Sequence, residues 1–229
     1  MMGIAVLVLV VLLAVAFLPQ MWVSSVLRRH QAERAEFPGT GGEFARHILD
    51  EMKLGHVKVE ETDLGDHYDP GDKAVRLSKP HFSGKSLAAV VVAAHEVGHA
   101  MQDATGYPPL AARTRLAKST ASLEKVGVVV MLAAPVLMVL GKSPVFLLMS
   151  AAAGAVIMLM SVAIHAVTLP VEFDASFRRA LPVLKTGHYV NSKDLASARQ
   201  ILLAAAFTYV AAAAMSLLNV ARWLRVLRM

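Results

Sequence analysis

The chain has 229 residues and a net charge of +6, and 56% of its residues are apolar. Its mean hydropathy of +0.53 exceeds what a soluble globular protein of this size normally shows, so we expect a mainly α-helical membrane protein. The basic residues are dispersed and accompany no aromatic platform, which argues against a nucleic-acid partner. Because the chain has no cysteine, any metal must be held by His or carboxylate side chains.

Long uncharged segments predict three to four transmembrane helices in contact with a lipid bilayer. Residues 1–26 contain the first, in a run long enough to cross a bilayer core. Residues 126–168 are predicted as a hairpin of two spans, and residues 201–229 as a last membrane helix with a basic tail. The distribution of Lys and Arg predicts a multi-pass protein whose polar domain faces the cytoplasm.

Residues 27–125 form the only extended polar region and are predicted to be a small α+β catalytic domain. A short amphipathic helix is expected over residues 41–50. The alternating segments 56–60 and 74–78 are expected to form a small antiparallel sheet. The second of these strands precedes the next helix, so we expect it to pair with an extended substrate at a free sheet edge.

The next predicted helix runs from about Lys85 to Asp103 and contains an H-E-x-x-H motif. Its apolar interior predicts burial on all sides. Residues four apart on a helix share a face, so His95 and His99 can reach one metal ion while Glu96 flanks the open coordination position. This arrangement is typical of zinc peptidases, in which the metal activates a water molecule and the Glu transfers protons.

A third ligand is needed, because a catalytic zinc usually takes three protein side chains. Glu172 and Asp174 are the candidates, in residues 169–200, where the predicted hairpin returns the chain to the side of the polar domain. Two residues on a helix are separated by about 200°, so these two carboxylates do not face one metal together. We expect one to bind the metal and the other to orient a ligand.

In its motifs the chain resembles the YugP-like neutral zinc metallopeptidases, a family of small bacterial membrane proteins. The similarity lies in Asp66–Pro70, Ala93–Gln102 and Leu169–Ser176, and it extends over nearly the whole chain. The resemblance implies a zincin-like domain with one Zn²⁺ per chain, bound by His95 and His99, and with Glu96 as the catalytic acid and base.

A more remote similarity to the Glu-x-x-x-Asp pattern of membrane-bound gluzincins places Glu172 as the third ligand. Ser176 stands where that pattern has its Asp, so Asp174 or Asp103 is expected to take the orienting role.

These observations predict a zinc endopeptidase of the bacterial cytoplasmic membrane that cleaves membrane or membrane-proximal proteins. The alternative is a zinc-binding membrane scaffold or adaptor without essential proteolytic activity. The oxyanion formed during peptide hydrolysis needs a hydrogen-bond donor. Four residues are candidates for this role or for substrate contact, and none of them is fixed by spacing: His67, Tyr68, His188 and Tyr189.

Overall fold

A computed structural model describes residues 2–120, 145–207 and 209. These residues form eight helices, one π-helical segment and a three-stranded sheet. In chain order the elements are α1 (Met2–Arg29), α2 (Gly41–Glu51), β1 (Lys58–Thr62), β2 (His67–Asp69), β3 (Ala74–Ser78), α3 (Lys79–Phe82), α4 (Leu87–Ala104), α5 (described over 108–120), α6 (Val145–Phe173), the π segment (Asp174–Ala180), α7 (Leu181–Thr186) and α8 (195–207).

The sheet has the order β1-β3-β2, with β1 parallel and β2 antiparallel to β3. The prediction that residues 56–60 and 74–78 pair antiparallel was therefore wrong, because β2 lies between them in sequence and itself forms the hairpin with β3. The guanidinium of Arg76 on β3 links the three strands, because it donates hydrogen bonds to Glu60 at 3.0 Å and Asp69 at 2.8 Å. It also donates one to Asp72 at 2.6 Å. Since β3 is the central strand, its backbone is paired on both sides, and it offers no free edge to a substrate.

Helices α2 and α4 form as the sequence predicts, and each begins at a side-chain cap. In α2, Thr40 and Glu43 form a reciprocal capping box. In α4, the Ser86 hydroxyl accepts a hydrogen bond from the Ala89 N–H at 3.1 Å. Nearly every residue of α4 from Leu87 to Ala100 is buried, which confirms that this helix runs through the core.

Helix α6 continues through Pro170 and leads directly into the π segment. A π-helical turn holds one more residue than an α-helical turn, so it changes which side chains point at a neighbouring element. The segment lies against α4 with Gly98 at the contact, and it presents the side chains that follow Glu172 to the H-E-x-x-H motif.

The expectation of three to four transmembrane helices is wrong for this structure. Within the described ranges, no helix combines the length and the apolar character that crossing a membrane requires. The expectation rested on the length of uncharged runs in the sequence. The first part of the predicted hairpin, up to residue 144, and most of 201–229 lie outside the described residues.

Gly98 allows α4 and the π segment to pack closely, so Gly98→Ala is expected to destabilise the protein. A Cβ atom at this position would lie 2.7 Å from the carbonyl oxygen of Ala175. Overpacking of this kind costs about 1–3 kcal/mol, which outweighs the gain of about 1 kcal/mol in helix propensity. Thermal unfolding of the metal-free protein measures the change.

The matched control for this prediction is Gly154→Ala in α6, where no described atom lies within 4 Å of the new Cβ. This variant should gain up to about 1 kcal/mol, because alanine favours the helix. A Gly98→Ala protein as stable as the Gly154→Ala protein would contradict the close approach.

Candidate metal centre

His95 and His99 lie one turn apart on α4 and point to the same place. Their ring centroids are 4.7 Å apart at an interplanar angle of 80°. Both side chains are buried, and α4 carries no charged residue before Glu96 that could pair with them. Two buried imidazoles side by side need polar partners, which the end of α6 and the π segment supply.

Glu172, at the end of α6, supplies the third group. Its Oε2 atom lies 3.1 Å from Nε2 of His95 and 3.5 Å from Nε2 of His99, and the side chain is 1% exposed. Zinc bonds to His nitrogen and carboxylate oxygen are about 2.0–2.2 Å long, so ligand atoms of a tetrahedral site lie about 3.3 Å apart. The distances from Oε2 of Glu172 to the two nitrogens therefore fit ligands of one zinc ion, and the three ligand atoms all lie within 4.8 Å of one another.

The electrostatics of Glu172 also suit a ligand. Burial alone would raise the pKa of this carboxyl, but the charges and hydrogen bonds of His99 and His95 hold it well below its usual range. The second oxygen, Oε1, accepts a hydrogen bond of 2.9 Å from Nη1 of Arg113 on α5. Glu172 is thus an anion with one oxygen held by Arg113 and the other directed to the two histidines.

The other ring nitrogens of the two histidines have partners that fix the ring orientation. Nδ1 of His95 lies 3.0 Å from Oγ of Ser176, and Nδ1 of His99 lies 2.9 Å from Oε1 of Gln102. In the neutral form that would bind a metal, each ring would donate from Nδ1 to its oxygen partner and keep the lone pair on Nε2. The two oxygens, Oγ of Ser176 and Oε1 of Gln102, thus match the partners that a pair of metal-binding histidines needs.

Asp174 acts through Gln102. The Gln102 amide donates to Oδ2 of Asp174 at 2.9 Å and to the carbonyl oxygen of Val171 at 2.8 Å, so its own oxygen faces His99. Burial would raise the pKa of Asp174, but hydrogen bonds from Arg179 and Gln102 lower it below its usual range. The carboxylate therefore anchors the amide that orients His99.

Glu96 is buried beside the two histidines, and burial raises its pKa to about 7. The positive charges of His95 and Arg113 oppose this shift, and the negative charges of Glu172 and Asp66 reinforce it. A cavity of about 350 Å³ opens in front of Glu96 and His95, and Tyr209 contributes to its wall. A carboxyl group with a pKa near neutrality can both accept and donate a proton.

The remaining predicted site residues make their hydrogen bonds elsewhere. Tyr68 donates to Asp103 at 2.6 Å, and Lys73 also contacts Asp103. His67 bonds to the backbone at Gly65. Tyr189 bonds to His47 and Glu51 on α2, and it lines a separate cavity together with His188. The structure brings Asp174 to the metal centre and leaves the other five residues, including Asp103, outside its hydrogen-bond network.

Sequence reasoning missed Gln102, Arg113 and Tyr209. Gln102 could have been found, because it lies three residues after His99 and so shares its helix face. The guanidinium carbon of Arg113 lies 5.7 Å from the centre of the Tyr209 ring, beside Glu172. Burial and the charge of Glu172 raise the pKa of Tyr209, so this phenol stays a hydrogen-bond donor at neutral pH. No sequence motif marks either residue, since both reach the site from distant helices.

Because Gln102 orients His99, Gln102→Ala is expected to weaken zinc binding about 10- to 100-fold, the usual effect of losing a partner of a metal-binding histidine. Competition with a chromophoric chelator gives the affinity. Gln200→Ala, at an exposed position on α8, is the control and should keep the affinity of the parent protein. Equal affinities in the two variants would show that Gln102 does not hold the ring.

Comparison with known proteins adds independent information. A family model described as "Putative neutral zinc metallopeptidase" matches residues 5–228. A protein of Bacillus subtilis (strain 168), named "Putative membrane protease YugP", is 35% identical over 216 residues, which cover 93% of this chain and 92% of the relative. No solved structure matches.

Proposed function

This chain belongs to the family of neutral zinc metallopeptidases, and from that premise we propose that it is a zinc-dependent endopeptidase with Glu96 as its proton-transferring residue. His95, His99 and Glu172 bind one zinc ion in this proposal. The observation that carries it is the convergence of two oriented Nε2 atoms on one oxygen of Glu172, at 3.1 and 3.5 Å. The donor set of two His and one Glu is one that catalytic zinc sites use.

In the proposed mechanism, each residue has a separate task. Zinc, when bound, supplies Lewis-acid activation of a water molecule. Glu96 accepts a proton from the attacking water and afterwards gives it to the leaving amine, for which its near-neutral pKa is suited. Tyr209 donates a hydrogen bond to the carbonyl oxygen of the scissile peptide as negative charge develops there. Ser176 and Gln102 keep the two imidazoles in place.

We propose further that the protein acts at a membrane, on membrane or membrane-proximal proteins. The name of the Bacillus subtilis relative supports this proposal, as does the net charge of +6, which attracts anionic lipid headgroups. Large apolar side chains are exposed on α1 and α6, among them Phe17, Leu18, Met21, Met149 and Leu159. Flotation with anionic lipid vesicles tests membrane association, and protein that stays in the lipid-free fractions would contradict it.

The central experiment measures zinc and peptide cleavage in the same purified protein. We expect about one zinc per chain by elemental analysis, loss of cleavage on removal of the metal with a chelator, and recovery on addition of zinc. Cleavage is followed with a mixture of unrelated peptides, and mass spectrometry identifies the products. Cleavage that persists in the metal-depleted protein would overturn the proposal.

A further inference from the structure

The cavity in front of Glu96 has walls of unusual chemistry. Apolar side chains from α1, α4 and α8 line most of it, including Leu27, Val91, Val92, Ile201 and Leu202. The polar lining consists of Asp66, His95, Glu96 and Tyr209, and no Lys or Arg belongs to the described lining. The carboxyl groups of Asp66 and Glu96 thus face a mostly apolar space whose described lining contains no Lys or Arg.

Asp66 is held rigidly at this wall from the outside. Its Oδ1 accepts hydrogen bonds from the backbone N–H of Ser78 at 2.7 Å and from the Ser78 hydroxyl at 2.9 Å. Its Oδ2 lies 2.7 Å from Nδ1 of His81, and the Asp66 side chain remains 20% exposed. Three donors fix the carboxylate, yet Oδ2 retains a free acceptor position.

Asp66 carries a negative charge at the cavity wall. Burial would raise the pKa of this carboxyl, but the hydrogen bonds from His81 and Ser78 hold it below its usual range. The carboxylate therefore stays ionised at neutral pH.

We propose that Asp66 is a specificity-determining residue that binds a cationic group of the substrate beside the scissile bond. This proposal rests on the proposed peptidase function. The apolar walls suit an aliphatic chain, and Asp66 pairs with the ammonium or guanidinium group at its end, as long basic side chains bury their stems and keep their charged heads paired. A lysine or arginine side chain and a free peptide N-terminus both offer this chemistry.

The test uses binding to the zinc-loaded Glu96→Gln protein, so that Asp66 is the only carboxylate left in the described cavity lining and no cleavage intervenes. Fluorescence anisotropy measures the binding of alanine-rich peptides that carry a single lysine, whose position differs from peptide to peptide. Each peptide is compared with a second one that has norleucine in place of that lysine. We expect one lysine position to bind about 10- to 100-fold more tightly than norleucine, the range for a hydrogen bond to a charged group. In Glu96→Gln/Asp66→Asn this ratio should fall to near 1.

Further comparisons separate the possible causes. Asp63→Asn removes the same charge three residues away, at an exposed position outside the cavity lining, and should leave the ratio unchanged. Acetylating the peptide N-terminus separates the two sources of the cation, since a preference lost on acetylation belongs to the N-terminal ammonium and one that remains belongs to the side chain. Equal binding of lysine, norleucine, acetylated and free peptides by Glu96→Gln would overturn the proposal without any variant at Asp66.

Two patterns separate this proposal from the proposed function. If the wild-type protein cleaves lysine and norleucine peptides equally, the proposed peptidase function is supported and the proposed role of Asp66 is wrong. If binding prefers lysine and this preference depends on Asp66, but the zinc-loaded wild type cleaves no peptide, the cation site is supported and the proposed peptidase function is wrong.

Discussion

Replacing Glu96 by Gln is expected to lower kcat for peptide cleavage about 10²- to 10⁴-fold, the usual contribution of a positioned acid-base group, while zinc remains bound. Gln has nearly the same size as Glu and cannot accept the proton of the attacking water. His95, His99 and Glu172 are unchanged in this variant, so metal content and thermal stability should match those of the wild type. Initial rates and elemental analysis of the same samples measure both properties.

Glu33→Gln is the matched control for this prediction, because Glu33 is exposed in the segment after α1. This substitution should leave kcat for peptide cleavage unchanged. A Glu96→Gln protein with more than a tenth of the wild-type kcat would show that another group moves the proton. Loss of zinc in the same variant would instead show that Glu96 supports metal binding, contrary to its proposed role.

Replacing Glu172 by Gln is expected to weaken zinc binding by at least about 100-fold. The substitution keeps the shape of the side chain but removes the negative charge, and neutral amides are poor zinc ligands beside His and carboxylate. The negative charge of Glu172 is important because its side chain is buried, and charges interact more strongly away from water. In this position the carboxylate would balance the positive charges of the metal and of the Arg113 guanidinium. Chelator competition on both proteins measures the change.

Asp174→Asn is the informative comparison, since the sequence leaves Glu172 and Asp174 as alternatives. Asp174 contacts Gln102 and Arg179 and not the histidines, so its substitution should weaken zinc binding less than that of Glu172. The reverse order of affinities would assign the third ligand to Asp174.

The parts of the site that lie close together in sequence could be predicted. The H-E-x-x-H spacing and the apolar run before it define the face and the burial of α4, because helical periodicity is a local property. The capped helix α2 follows from its own residues in the same way. Glu172 and Asp174 were both candidates, and helix geometry indicated only that these two carboxylates do not face one metal together.

The parts that depend on long-range packing could not be predicted. The parallel pairing of β1 with β3 goes together with β2 pairing at the other edge of β3, which strand patterns alone do not encode. The π segment arises where the helix meets Gly98, so its register is set by a neighbour 77 residues away from Ala175. Ser176, whose role the sequence left in doubt, reaches His95 in this arrangement. The membrane helices predicted from uncharged runs are not found among the described helices.

The separation of His95 and Glu172 along the chain affects the protein during its synthesis. These residues are 77 positions apart, and α5 and α6 are made between them. A nascent chain that has emerged only as far as α4 has two of the three proposed ligands and lacks the π segment that orients His95. The proposed metal centre is therefore complete only late in translation, because a shorter nascent chain lacks the proposed third ligand.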